Sequence, residues 1–190
     1  MREDKKFDPK HLDKLNNPQR LNDIPVRRIW PVLEMEYPGT IVDIGAGTGF
    51  LSTQFAAYVT GGVLFACDLS DIMIDWIKEN VSPIYKNILP VKMEESRVPL
   101  DDAIADLVYM ITLHHELDDP EAMLLECRRL LRENGKLLII DWKKEEMKEG
   151  PPLKIRCLPE DVRVQLEEAG FGNVSQYDFL TKHFCLTAEK

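Results

Sequence analysis

No stretch of the chain approaches the roughly 20 consecutive apolar residues that a membrane-spanning helix needs. The opening Met-Arg-Glu-Asp-Lys-Lys puts charge where a signal peptide requires an apolar core. A cytoplasmic protein without membrane insertion is expected. Basic charge is also short: 24 Lys and Arg stand against 33 Asp and Glu, a net charge of −9. A nucleic-acid surface needs a basic stripe to neutralise phosphates, so no nucleic-acid partner is expected. Cysteine is sparse too. Cys67, Cys127, Cys157 and Cys185 lie far apart with no Cys-x-x-Cys spacing, so neither a zinc site nor a dithiol motif is expected. Three of them sit in apolar or helical settings and read as reduced core residues. Internal repeats and low-complexity tracts are missing. With 190 residues, 44% hydrophobic and 30% charged, the chain can build one ordered globular domain but not two comfortable ones.

Glycine is scarce as well, ten in all, yet three of the ten fall at Gly45, Gly47 and Gly49. They stand in residues 41–50, Ile-Val-Asp-Ile-Gly-Ala-Gly-Thr-Gly-Phe, where an apolar strand turns sharply into a helix. Glycine suits such a turn because it tolerates positive φ and lets a ligand come close to the backbone. Several cofactor classes use a glycine-rich turn of this kind. Two details narrow the choice. The spacing is Gly-x-Gly-x-Gly, not the Gly-x-Gly-x-x-Gly of dinucleotide enzymes, and Asp43 places a carboxylate inside the apolar strand just before the turn. A buried acid is costly unless a cation or hydrogen-bond donors meet it. An ammonium and a sulfonium would supply positive charge, whereas a pyrophosphate would be repelled.

Further along, strand patterns over 63–67, 88–93, 106–112, 136–140, 174–179 and 183–187 alternate with helix patterns over 51–59 and 72–80. Another helix opens at Asp119-Pro120-Glu121, buries Leu124, Leu125, Cys127, Leu130 and Leu131, and stops at Asn134-Gly135; a last one runs from Pro159 to Gly170. This alternation predicts an α/β fold with a mostly parallel sheet covered on both faces. Asp68 lies at the tip of the second strand, some twenty residues past the glycine turn, where an acid can accept from both hydroxyls of a ribose. Leu113-His114-His115-Glu116 hangs off the carboxyl end of the fourth strand, where open α/β sheets hold their ligands. Asp141 reaches the same rim from the fifth. Histidine titrates near neutrality and is suited to moving a proton. A structural role, with one imidazole on the backbone and Glu116 or Asp141 capping a turn, is the competing reading.

From about residue 40 onward the sequence resembles the class I S-adenosylmethionine-dependent methyltransferases. The carriers are the glycine turn with Asp43, the acid at Asp68, and the run Arg-Arg-Leu-Leu-Arg-Glu-Asn-Gly-Lys ahead of an apolar strand and Asp141. The resemblance implies a Rossmann-like, doubly wound sheet of seven strands, order 3-2-1-4-5-7-6, with the last strand antiparallel. It divides the chain into a helical arm or lid over 1–38, where Lys14, Asn16 and Arg20 are lid candidates, and a cofactor-binding domain over 39–190.

It implies S-adenosylmethionine as cofactor and S-adenosylhomocysteine as product. The binding residues it implies are Asp43, Gly45, Ala46, Gly47, Gly49, Asp68, Leu69, Met73, Glu94, Glu95, Met110 and Ile111. Leu69 flanks the adenine, Met73 lies near it or in the core, Glu94 accepts from the exocyclic amine, and Glu95 brings its backbone amide near the ring. His115 is the first candidate for a proton acceptor, with Asp141 or Glu116 orienting it.

The chain looks most like the small-molecule methyltransferases related to menaquinone and ubiquinone C-methylation, though it is shorter and lacks their long insertions. The expected partner is a small-molecule acceptor, and the expected state a monomer or homodimer. Three alternatives are a cofactor-binding regulatory subunit without catalysis, an arsenite-type enzyme with gathered thiols, and a nicotinamide oxidoreductase. Asp43 and the glycine spacing disfavour the last.

Overall fold

The computed structural model describes residues 12–59 and 61–190; residues 1–11 of the expected arm lie outside them. Seven strands form one sheet: β1 (Thr40–Ile44), β2 (Val63–Asp68), β3 (Ile88–Lys92), β4 (Ala105–Ile111), β5 (Leu131–Trp142), β6 (Gly172–Tyr177) and β7 (His183–Glu189). Their order is β3-β2-β1-β4-β5-β7-β6, as the resemblance implies. β7 runs antiparallel to both neighbours and the other pairings are parallel. Helices are α1 (Leu12–Leu15), α2 (Arg20–Asp23), α3 (Val26–Ile29), α4 (Phe50–Phe55), α5 (Asp71–Trp76), α6 (Pro120–Leu130) and α7 (Pro159–Glu168).

Alternation along the strands builds two cores. In β4, Leu107, Tyr109 and Ile111 face one side, and Val108 and Met110 the other. Leu138 and Ile140 of β5 join the first group, Leu137 and Ile139 the second. Every residue of β4 is buried, as a central parallel strand covered on both faces requires.

The arm contributes to the first core. Ile24, Val26, Ile29 and Leu33 are buried with Phe55, Leu64, Leu107 and Ile140. Trp30 stacks on Tyr58 with ring centroids 4.2 Å apart. Among the described residues of the arm, Lys14, Leu15, Asn17, Gln19, Arg20, Asp23 and Ile24 reach a cavity at the rim of the sheet.

Local chemistry sets the ends of α6, although its end differs from the sequence expectation. Asp119 accepts from the Ala122 N–H at 2.9 Å and Pro120 starts the helix, an arrangement that satisfies orphan donors of the first turn. The helix stops at Leu130, not at Asn134-Gly135. Leu131 is already extended and pairs with Ala105, so β5 begins there, and Asn134 takes a left-handed bend (φ 62°) inside the strand. Leu125 is 50% exposed, so the helix's buried face comprises Met123, Leu124, Cys127 and Leu130. The helix also carries buried Glu126, which accepts from Arg129 and from the Val98 N–H at 2.7 Å. Arg129 donates in turn to the carbonyls of Val98 and Leu100. This clamp holds the segment after β3 at the carboxyl rim.

Candidate active site

The glycine turn leaves β1 at the middle of the sheet. Gly45 has φ 73°, and a Cβ there would lie 2.7 Å from Leu113 Cδ2, so neither the dihedral nor the space admits a side chain. Four N–H groups of the turn are already spent: Gly45 and Ala46 donate to the Cys67 carbonyl at 2.9 and 3.0 Å, Gly49 to Ala46 at 2.9 Å, and Gly47 to Asp68 Oδ2 at 2.8 Å. A pyrophosphate is bound by presented N–H groups at a helix start. Here four of those donors are spent within the protein, and Asp68 at the turn opposes an anion.

Beyond the turn lies a cavity of about 860 Å³. Gly45, Ala46, Gly47, Asp68, Leu69, Met73, Met93, Glu95 and Ile111 form one part of its wall; His115, Glu116, Trp142, residues 148–152 and His183 form the other. Residues of the arm, Lys14, Leu15, Asn17 and Arg20 among them, complete it. The structure therefore gathers most of the residues that the sequence singles out on one surface.

Four expected cofactor positions lie off that wall. Asp43 sits behind the turn, where Ser52 Oγ and the Tyr109 hydroxyl donate to its Oδ2 at 2.6 and 2.7 Å. Burial pushes its carboxyl up to about 7, against those two hydrogen bonds. Gly49 faces Ile77, 3.3 Å from where its Cβ would be. Glu94 is exposed and bridges Arg97 through its backbone, leaving Glu95 as the acid on the wall. Met110 points into the second core because it alternates with Ile111. Among the lid candidates, Lys14 and Arg20 line the cavity, whereas Asn16 turns back to donate to the Leu12 carbonyl at 3.2 Å.

Asp68 is 9% exposed. Its Oδ1 accepts from the Ser70 N–H at 2.8 Å and its Oδ2 from Gly47, which leaves lone pairs on both oxygens for a diol. Burial raises its pKa, opposed by those N–H donors and by Lys92. Arg20 donates to the Leu15 carbonyl at 2.7 Å and lies over the Phe50 ring, 6.0 Å from its centroid. Burial lowers its pKa and the attraction of Asp43 opposes that.

At the other end, Asp141 holds His115 twice. Oδ1 meets the ring Nδ1 at 2.7 Å and Oδ2 accepts from the backbone N–H at 2.9 Å. A carboxylate only accepts, so it keeps the proton of the neutral ring on Nδ1 and leaves the lone pair on Nε2. Glu116 Oε1 lies 3.7 Å from that Nε2. Asp141 is itself 1% exposed and does not line the cavity; it touches the cavity's lining through His115. His114 points elsewhere, with Nε2 2.8 Å from Gln165 Oε1.

Three contributors carry no signal in the linear sequence. Arg156, 4% exposed, donates to the carbonyls of Lys143, Glu145, Glu149 and Pro151 and so shapes the loop at the cavity mouth. Lys182 joins Asp23 of α2 to Glu149 of that loop, at 2.9 and 2.5 Å. His183 opens β7 beside Trp142, ring centroids 4.3 Å apart. Cys157 does not line the cavity, and no group of His, Cys, Asp and Glu among the described residues could hold a metal ion.

The donor set fits S-adenosylmethionine: a diol acceptor at Asp68, acids on the wall, and a glycine turn that borders the cavity with four of its N–H groups spent within the protein. Comparison with known proteins agrees. Residues 42–139 match the family described as "Methyltransferase domain". A SAM-dependent methyltransferase from Aquifex aeolicus is 32% identical, with a TM-score of 0.90 over 97% of this chain and 99% of that one. A malonyl-[acyl-carrier protein] O-methyltransferase from Geobacter sulfurreducens is 26% identical over 74% of this chain and 58% of its own length. A ubiquinone/menaquinone biosynthesis C-methyltransferase from Shewanella halifaxensis is 25% identical over 66% and 55%. The chain thus spans little more than half the length of these two curated relatives. With the sheet order, the cavity and these matches in agreement, the chain belongs to the class I S-adenosylmethionine-dependent methyltransferase family.

Proposed function

We propose that the protein transfers a methyl group from S-adenosylmethionine to a small-molecule acceptor, with His115 taking the proton when the acceptor gives one up. The cofactor supplies a methyl already activated as a sulfonium substituent, so aligning the acceptor for in-line displacement supplies much of the acceleration. Asp68 receives the ribose hydroxyls. Leu69, Met73 and Met93 enclose the base, with Glu95 as its polar neighbour. Arg20 has no carboxylate partner among the described residues and lies beside the glycine turn, so it receives the carboxylate of the methionine part. His115 Nε2 is the basic position, and Asp141 stabilises the imidazolium that proton transfer would create.

The observation that carries this reading is that the glycine turn with Asp68 and the Asp141-held His115 share one cavity. The names of the two curated relatives specify an O-methyltransferase and a C-methyltransferase, acceptors that fit a proton-accepting imidazole. A regulatory subunit that binds the cofactor without turnover is the alternative.

Calorimetric titration with S-adenosylhomocysteine and with 5′-methylthioadenosine, which lacks the amino-acid part, tests the assignment. Asp68→Ala should weaken both ligands by about 1.5–3 kcal/mol, the usual loss for hydrogen bonds to a charged group. Arg20→Met should weaken only the first. If the parent binds neither, the cofactor assignment fails. Binding without turnover across an acceptor panel would favour the regulatory alternative.

A further inference from the structure

His183 is 1% exposed, yet it forms part of the cavity wall, and neither ring nitrogen has a hydrogen-bond partner among the described residues. Burying an unpaired polar group is costly, and an apolar ring of similar size would avoid that cost. The ring is fixed in place: His183 pairs with Trp142 in the β5–β7 register and lies tilted against its indole, centroids 4.3 Å apart. Asp141, which holds His115, is the next residue along β5. The unpaired imidazole thus stands next to the proton-accepting end of the cavity and away from Asp68 and the glycine turn.

Its chemistry narrows what it could meet. Burial pushes its pKa down to about 4, so the ring is neutral near pH 7, with one N–H donor and one acceptor nitrogen. A neutral ring has no charge to offer an anion. The adjacent cation, Lys182, is already shared between Asp23 and Glu149. A hydroxyl matches the ring because it both donates and accepts. Trp142, Ile24, Pro151, Pro152 and Ile155 give this part of the wall its apolar surface, bordered by the charged Asp23, Lys148 and Glu149. We propose that His183 is a recognition residue for the acceptor, selecting a largely apolar molecule that carries a neutral hydroxyl. This inference rests on reading the cavity as the methyl-transfer site.

Phenol serves as the probe, with anisole lacking the donor and benzoate carrying a charge. The complex with S-adenosylhomocysteine is formed first, with ¹⁵N-labelled histidine, and the ring resonances of His183 are assigned by their loss in His183→Phe. Phenol should shift those resonances, anisole much less, and benzoate should not compete. His183→Phe keeps an aromatic ring against Trp142 and should weaken phenol about three- to tenfold, the loss expected for a neutral hydrogen bond. His183→Gln should recover part of that loss. S-adenosylhomocysteine affinity should stay unchanged in both variants.

The assignment is overturned if phenol does not bind or leaves His183 unmoved. It also fails if anisole acts equally, if benzoate binds more tightly, or if His183→Phe binds phenol as the parent does. Failure of the parent to bind S-adenosylhomocysteine would instead sink the methyltransferase reading beneath it, and is seen before any phenol is added. Should the variants not fold, the His183 resonances are assigned through their cross-relaxation with the Trp142 indole, and the shifts in the parent still decide the matter.

Discussion

Asp43 and His183 are both buried and titratable, and they pull stability in opposite directions as pH changes. Folded Asp43 keeps its proton up to about 7, whereas the unfolded side chain releases it near 3.8. Its contribution is present at low pH and is lost as pH rises through about 7. His183 is the reverse, because the unfolded ring takes a proton near 6.5 and the folded one only near 4. That contribution is present above about 6.5 and is lost as pH falls toward 4. Asp68 shifts in the same direction as Asp43, and His114 in the same direction as His183. Over about pH 4 to 6.5 the two groups offset each other. Asp43→Asn removes one side, so its unfolding free energy should rise with pH more steeply than the parent's. His183→Phe should tilt the curve the other way. Denaturant unfolding at several pH values in that window checks both signs, and parallel curves for parent and variants would contradict them.

At the scale of elements, two cations of different character hold the loop that borders the cavity. Arg156 is buried and spends its donors on four carbonyls of one loop, so it sets the loop's shape. Lys182 is partly exposed and bridges elements: α2 through Asp23 and the loop through Glu149. Gly150 in that loop has φ 93°, and a Cβ there would come within 2.8 Å of the Trp142 ring. The loop thus lies against Trp142 in a conformation that other residues rarely adopt. Exposed ion pairs contribute only about 0–1 kcal/mol. Lys182→Met should therefore leave overall stability nearly unchanged while speeding release of S-adenosylhomocysteine about two- to fivefold. The difference from the parent should shrink as salt is raised and screening grows. Stopped-flow dissociation at two ionic strengths measures this, and equal rates for the two proteins would mean that the bridge does not hold the mouth closed.

For the molecule as a whole, the arm is split between two jobs. Residues ahead of Ile24 cover the cavity, while Ile24, Val26, Ile29 and Leu33 complete the core over one face of the sheet. Each such buried side chain is worth about 1.5–3 kcal/mol, and the whole fold has only about 5–15 kcal/mol in hand. A chain shortened to begin just before Ile24 should fold cooperatively but bind S-adenosylhomocysteine more weakly. One shortened past Leu33 should not fold. Circular dichroism and calorimetry on the two truncations separate the roles; equal behaviour would show that the arm acts as one unit.

Signals carried by neighbouring residues were legible in the sequence. The glycine turn, Asp68 at a strand tip, Asp119 ahead of α6 and the strand–helix alternation each depend on contiguous residues and on periods of two or 3.6. His115 and Asp141 could be placed on one rim because parallel strands deliver their carboxyl ends to the same side. Which of two adjacent residues faces the ligand was less legible. Met110 and Ile111 differ only in alternation phase, as do Glu94 and Glu95 in the bend after β3, and packing sets that phase.

The positions of Arg156, Lys182 and His183 were not legible at all. His183 meets Trp142 only because β7 inserts antiparallel between β5 and β6. Lys182 reaches Asp23 across most of the chain's length. The sequence by itself determined the fold class and set the glycine turn, Asp68 and His115 along one rim, since turns, caps and periodicity are short-range physics. Only the tertiary structure decided that Trp142 and His183 meet on the cavity wall, because cross-strand neighbours depend on strand order and register, which no local stretch of residues encodes.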